Sequence, residues 1–245
     1  MASQLVECCE QMDRSVLRMM KQKQSGFLEA KRYQESILSR AERWALSRLA
    51  ERTPAWINSD HLTILGFVAQ LAAGAAYAIS RSNRLWLLAV IGALALNWLG
   101  DSLDGTLARY RHQQRPRYGF YVDHMVDSFG ALALMVGLAL SRYMHPYIAI
   151  ALLIAFLLLS VQSYLATYAL GEFRLSYWSF GPTELRLLLS VGNVALFFRP
   201  MVHFLGGHYR LFDVGGLIGL IGMTVMLLVW TVRNTCRLYR EEEIP

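Results

Sequence analysis

Residues 101–127 read DSLDGTLARYRHQQRPRYGFYVDHMVD. Four aspartates, Asp101, Asp104, Asp123 and Asp127, stand here beside some of the most apolar stretches of the chain. On a helix, Asp101 and Asp104 share a face with Ala108, at i, i+3 and i+7. Asp123 and Asp127 share one at i and i+4. Residues 109–118, with Pro116, make the connection. Two antiparallel helices joined there would turn four carboxylates toward one another. A carboxylate inside a bilayer costs about 2.5–3.5 kcal/mol, so four cost on the order of 10 kcal/mol before their mutual repulsion is added. Divalent cations offset that, and clustered hard oxygen ligands suit Mg²⁺, Mn²⁺ or Ca²⁺ rather than Zn²⁺ or copper. Four carboxylates suffice for two ions.

Outward from this stretch the chain is apolar. Of its 245 residues 55% are hydrophobic, above the roughly 45–50% of soluble domains. Six apolar runs cover 62–79, 85–108, 119–141, 146–170, 182–198 and 212–232. Each approaches the ~20 residues that cross a bilayer as a helix. Lipid offers no partner to a free backbone group, which favours helices. The alternating pattern of a membrane β-barrel is missing. Before the first run comes ILSRAERWALSRLAERTPAW, residues 37–56. Ile37, Leu38, Ala41, Trp44, Ala45 and Leu49 recur at three and four, which fits an amphipathic helix in the membrane interface, with a partner-binding helix as the alternative. The expected fold class is therefore all-α: a polytopic membrane protein with six transmembrane helices, preceded by an N-terminal amphipathic interfacial helix. The corresponding divisions are a tail over 1–34, the interfacial helix over 35–55, a transmembrane catalytic domain over 56–240 and an acidic tail over 241–245.

Charge sets an expected orientation. Eighteen Lys and Arg residues fall in the two termini and in the loops after the second and fourth runs, against five in the opposite loops. The positive-inside rule then places both termini and the aspartate-rich loop in the cytoplasm, as an integral multi-pass protein. The net charge of +6 is read as topology and attraction to anionic headgroups. No zinc-finger spacing or RNA-binding motif argues for a nucleic-acid partner. Cys8, Cys9 and Cys236 lie in the charged tails, and an odd count without loop spacing argues against a disulfide framework or a zinc site. Residues 1–50 carry no signal-peptide pattern. The six histidines are expected at surface or structural positions, His124 among them because it points off the Asp123–Asp127 face.

Gly105, Ala108 and Gly119 line the same region, either to let phosphates approach the backbone or to pack helices closely. Asp101-x-x-Asp104-Gly105-x-x-Ala108-Arg109, nine residues, then Gly119-x-x-x-Asp123-x-x-x-Asp127 resembles the signature of the CDP-alcohol phosphotransferases at all eight positions. The six-run layout is similar too, so the resemblance covers about 35–240. It implies an enzyme that binds a CDP-linked donor on two divalent cations, Mg²⁺ or Mn²⁺. Asp101, Asp104 and Asp123 would be metal ligands. Asp127 would be a ligand and the catalytic base, and Gly105, Ala108, Arg109 and Gly119 would lie around the CDP. An acceptor hydroxyl would attack the phosphorus distal to cytidine, and CMP would leave. Homodimers are frequent in the family, and the sequence is silent on that point.

The acceptor is less legible. Thr167 lies with Ser163 and Gly171 on one stripe of the fourth run, suited equally to interhelical hydrogen bonds or to substrate. Glu184 suits a helix N-terminus after Pro182, but it also resembles a Thr-Glu pair in choline and ethanolamine phosphotransferases, where it would face an amino-alcohol. Arg174 and Arg186, with Arg109, would instead hold an acceptor phosphate. Arg186 lies within a membrane run, where an Arg is a functional candidate by default. The leading expectation is transfer of a phosphatidyl group from CDP-diacylglycerol to a small polar alcohol or its phosphate. The alternatives are a CDP-amino-alcohol enzyme using diacylglycerol and, outside enzymes, a cation transporter.

Overall fold

The structure is a computed structural model and describes residues 31–33, 39–174, 182–204 and 206–242. Cys8, Cys9 and most of the 1–34 tail lie outside the described residues.

Among the described residues there are seven helices: α1 (Ser39–Arg52), α2 (Ser59–Ile79), α3 (Trp86–Tyr110), α4 (Pro116–Leu140), α5 (Pro146–Leu170), α6 (Pro182–Phe198) and α7 (Leu211–Glu241). Their ends follow local chemistry. The Asn58 amide, just before α2, donates to His61 Nδ1 at 3.3 Å. Pro116, Pro146 and Pro182 open α4, α5 and α6, where a missing N–H is harmless. Gly171 closes α5 in the left-handed region at φ 66°, and its amide donates to the Thr167 carbonyl at 3.1 Å.

Five helices, α2, α3, α4, α5 and α7, are long and apolar enough to cross a membrane, and the chain is a multi-pass membrane protein. Helix α6 has 17 residues, about 25 Å of rise against a hydrocarbon core of about 30 Å. Ile218, Ile221, Val225, Leu228 and Val232 on α7 stand exposed, as lipid-facing positions must.

Helix α2 is the centre of the bundle and packs on both α3 and α4. The α2–α3 crossing is glycine on glycine: a Cβ on Gly100 would sit 2.6 Å from the Gly66 nitrogen. Gly74 meets Ala133 and Gly137 of α4 in the same way. Small residues at crossings are how helices approach where lipid removes the hydrophobic drive to associate. Helix α5 packs against α4 and α7, and α6 against α3.

One apolar cluster closes the end away from the aspartates, built from Tyr77, Leu87, Val90, Leu138, Leu196 and Phe212 with their neighbours. The Tyr77 and Phe212 rings meet edge to face at 6.4 Å. Buried Asn193 donates to the Tyr77 hydroxyl at 2.7 Å. A smaller cluster, Leu46, Ala50, Leu62, Leu103 and Leu107, lies at the aspartate end.

Helix α1 turns Leu46 and Ala50 inward onto α3 and leaves the stripe through Trp44 and Leu49 uncovered by the bundle. Trp44 is 68% exposed and Leu49 40%. Leu46 and Ala50 form one buried cluster with Leu62, Leu103 and Leu107. The architecture is all-helical, with two short additions too brief to carry a sequence pattern. Strand β1 (Lys31–Tyr33) pairs in parallel with β2 (Glu172–Arg174), tying the chain before α1 to the segment after α5. Strands β3 (Met201–Phe204) and β4 (Gly207–Arg210) form a hairpin between α6 and α7.

Candidate active site

Asp101 and Asp104 lie in the last turns of α3, and Asp123 and Asp127 in the first turns of α4. Both helices pack on α2, and this brings their aspartates within reach of one another: Asp127 lies within electrostatic reach of Asp101, Asp104 and Asp123, and of Arg186 on α6. Asp104 is buried and Asp123 exposed.

Each carboxylate on α3 has defined partners. The Thr63 hydroxyl donates to Asp104 Oδ2 at 2.7 Å, and the Gly105 amide to Asp104 Oδ1 at 2.5 Å. Ser59 Oγ donates to the Asp104 backbone carbonyl at 2.9 Å, so two residues of α2 hold this turn. Asp101 Oδ2 accepts from Arg186 Nη2 at 2.7 Å. Arg186 Nε donates to Asn97 Oδ1 at 2.7 Å, and Asn97 in turn donates to the Gly66 carbonyl at 3.0 Å and to Gln70 Oε1 at 3.3 Å. One polar chain thus links α2, α3 and α6 at the level of the aspartates.

As the side chains stand, no three Asp, Glu, His or Cys residues among the described residues form a ready-made metal cage. The chemistry still fits hard cations. Four carboxylates on neighbouring helix ends carry more negative charge than the Arg186 guanidinium beside them neutralises.

The two glycines of the signature do not serve helix crossings. A Cβ on Gly119 would meet nothing within 4 Å, and one on Gly105 would meet only the Arg109 guanidinium, 3.4 Å away. The glycines that do pack helices are others, Gly66, Gly74, Gly100 and Gly137 among them. Ala108 lines a cleft of about 380 Å³ together with Asn58, Ser59, Asp60, Leu107 and Arg115. Across it Arg115 pairs with Asp60, and the Arg115 guanidinium lies 4.2 Å from the centre of the Tyr118 ring. The hydrogen bond to Asp60 pushes the pKa of Arg115 above its ordinary value. Arg111 donates to the carbonyls of Ile57, Thr53 and Pro54 at 2.5, 2.9 and 3.0 Å, which fixes the α1–α2 connection beside the cleft.

The remaining sequence candidates are spread more widely. Arg109 Nη2 donates to Thr106 Oγ1 at 3.1 Å. The Thr167 hydroxyl donates to the Ser163 carbonyl of its own helix at 2.7 Å. Glu184 is half-buried on the first turn of α6. Arg174 belongs to β2, and its side chain lies outside the described residues. His124 packs its ring against Phe120 and Tyr164, with ring centres 4.2 and 4.7 Å away. Sequence reading missed Thr63, Ser59, Asn97 and Gln70. The signal for Asn97 and Gln70 was available, since a polar side chain inside an apolar run needs a partner.

Comparison with curated proteins gives no significant match. A family model described as CDP-alcohol phosphatidyltransferase matches residues 56–233, a span that holds all four aspartates, their partners Thr63 and Arg186, and the cleft. The chain therefore belongs to the CDP-alcohol phosphatidyltransferase family and is a transferase of substituted phosphate groups.

Proposed function

We propose that the protein transfers a phosphatidyl group from CDP-diacylglycerol to the hydroxyl of a small polar alcohol or alcohol phosphate, releasing CMP. The observation that carries this reading is the meeting of four carboxylates where α3 ends and α4 begins, beside an open cleft. Asp101, Asp104, Asp123 and Asp127 would hold two Mg²⁺ or Mn²⁺ ions, which when bound neutralise the donor's pyrophosphate and align the reactants. Asp127 takes the proton from the acceptor hydroxyl. The hydroxyl oxygen bonds to the phosphorus distal to cytidine, the bond from that phosphorus to the bridging oxygen breaks, and CMP leaves with its electron pair. Gly105, Gly119 and Ala108 leave room for the donor's phosphates, and Arg109 stands beside them. The cleft along Ala108 is of a size to take the cytidine.

The catalytic unit is 56–240, with α1 at the interface and α6 as a sixth, short span. The excess of Lys and Arg places both termini and the site on the cytoplasmic side. Arg186, Arg174, Glu184 and Thr167 remain candidates for the acceptor. Because Arg186 already meets Asp101, it acts at the join between acceptor and ion sites. Membership of a transferase family sets the cation-transporter alternative aside.

The test is CMP release by the purified protein with CDP-diacylglycerol and Mn²⁺, across inositol, inositol phosphate, glycerol phosphate, serine, ethanolamine and choline. Stimulation by one acceptor is expected. Silence across the panel, with release from CDP-choline or CDP-ethanolamine on adding diacylglycerol, would overturn the donor assignment and turn attention to Glu184.

A further inference from the structure

Glu42 stands on α1, outside the signature and outside the matched span. Its Oε1 accepts three hydrogen bonds, from Trp98 Nε1 at 2.8 Å, Ser102 Oγ at 3.2 Å and Thr183 Oγ1 at 3.0 Å. The donors come from α3 and α6, the two helices that carry Asp101 and Arg186. Ser102 follows Asp101 directly. Thr183 lies three residues before Arg186, on the same side of α6. One oxygen therefore bridges α3 and α6 next to the place where Arg186 bridges them through Asp101 and Asn97. Bonds to an ionised acceptor are roughly twice as strong as neutral ones.

We propose that Glu42 is a positioning residue. It holds the first turn of α6 against α3, and so seats Arg186 on Asp101 and orients that carboxylate. The proposal rests on reading Asp101 as an ion ligand. It makes α1 part of the framework of the site, beyond its contact with the membrane surface. A residue that merely anchored α1 would act through Trp98 and Ser102 alone. Thr183 and Arg186 would then be indifferent to it.

Mn²⁺ binding to the full-length protein in detergent, followed by the EPR signal of free Mn²⁺, tests this beside CMP release. Glu42→Ala should weaken Mn²⁺ binding about tenfold, the low end for partners that orient metal ligands. Glu42→Gln keeps a carbonyl oxygen for the three donors and should restore most of that loss. Thr183→Val removes only the α6 donor and should shift binding in the same direction as Glu42→Ala. It carries the test alone if Glu42→Ala does not fold. In the Arg186→Ala background, Glu42→Ala should add no further loss, since both act on one carboxylate. Unchanged Mn²⁺ binding in Glu42→Ala and Thr183→Val, or losses that multiply with Arg186→Ala, would overturn the proposal. Asp101→Asn separates the two levels. If it leaves Mn²⁺ binding intact, the ion-site reading fails and this proposal with it. If it abolishes binding while the Glu42 variants bind normally, only the positioning role falls.

Discussion

At one end of the bundle Tyr77, Leu87, Val90, Leu138, Leu196 and Phe212 close on one another with almost no exposed surface. At the other, the same helices α2, α3 and α4 bring Asp101, Asp104, Asp123 and Asp127 together beside an open cleft. The closed end holds the helices at fixed spacing. Glycine crossings, Gly66 on Gly100 and Gly74 on Gly137, carry that spacing along α2 toward the carboxylates. The open end then keeps its charges in place through Thr63, Ser59, Asn97 and Arg186. Rigidity at one end is what allows like charges to be gathered at the other.

The comparison predicts that function and stability can be broken separately. Asp127→Asn should give the largest effect. Loss of a general base typically costs about 10²–10⁴ in rate, and loss of an ion ligand adds to it. CMP release should fall by ~10³ or more, with the thermal unfolding midpoint nearly unchanged or raised, because one of four mutually repelling carboxylates is gone. Near-normal turnover in this variant would remove Asp127 from the base role.

Leu138→Ala strikes the closed end. Leu138 is 1% exposed, so the truncation leaves a cavity. In water such changes cost about 2–5 kcal/mol. In a bilayer the unfolded reference keeps the side chain among lipid tails, so mainly the packing part remains, about 2 kcal/mol. The variant should unfold at a lower temperature yet turn over at close to the parent rate when cold. A loss of turnover in the cold as large as that of Asp127→Asn would mean the two ends are not separable.

The two ends also differed in how much the sequence disclosed. The spanning helices were legible because lipid imposes runs of ~20 apolar residues that no soluble core requires. The aspartates were legible because spacings of three and four fix a helical face whatever the tertiary structure. The contact of Arg186 with Asp101 was not, since it joins residues far apart in the chain through a helix crossing angle. For the same reason the glycines could not be sorted in advance. Gly100 packs and Gly119 does not, though both stand within four residues of a signature aspartate. On helix α1 the amphipathic stripe through Trp44 and Leu49 was legible, but not that Leu46 and Ala50 would pack on Leu62, Leu103 and Leu107, because a stripe does not say what meets the rest of the helix. The strand pair β1–β2 is three residues long and leaves no periodicity to detect.

The smallest effect sharpens the comparison most. Thr63 lies on α2, outside the signature, and gives its hydroxyl proton to Asp104 at 2.7 Å. Thr63→Val keeps the shape and removes the donor. A hydrogen bond to a charged group contributes about 1.5–3 kcal/mol, and 1.4 kcal/mol is a factor of ten. If Thr63 only stabilises the fold, the variant should lose stability as Leu138→Ala does and keep its Mn²⁺ dependence. If it orients Asp104, half-saturation by Mn²⁺ should rise about tenfold, as for other residues that orient metal ligands, while the unfolding midpoint moves little. The second outcome is expected, because Asp104 keeps the Gly105 amide and the Ser59 contact to its backbone. The turn is thus held without Thr63, and what the hydroxyl adds is the direction of one carboxylate oxygen.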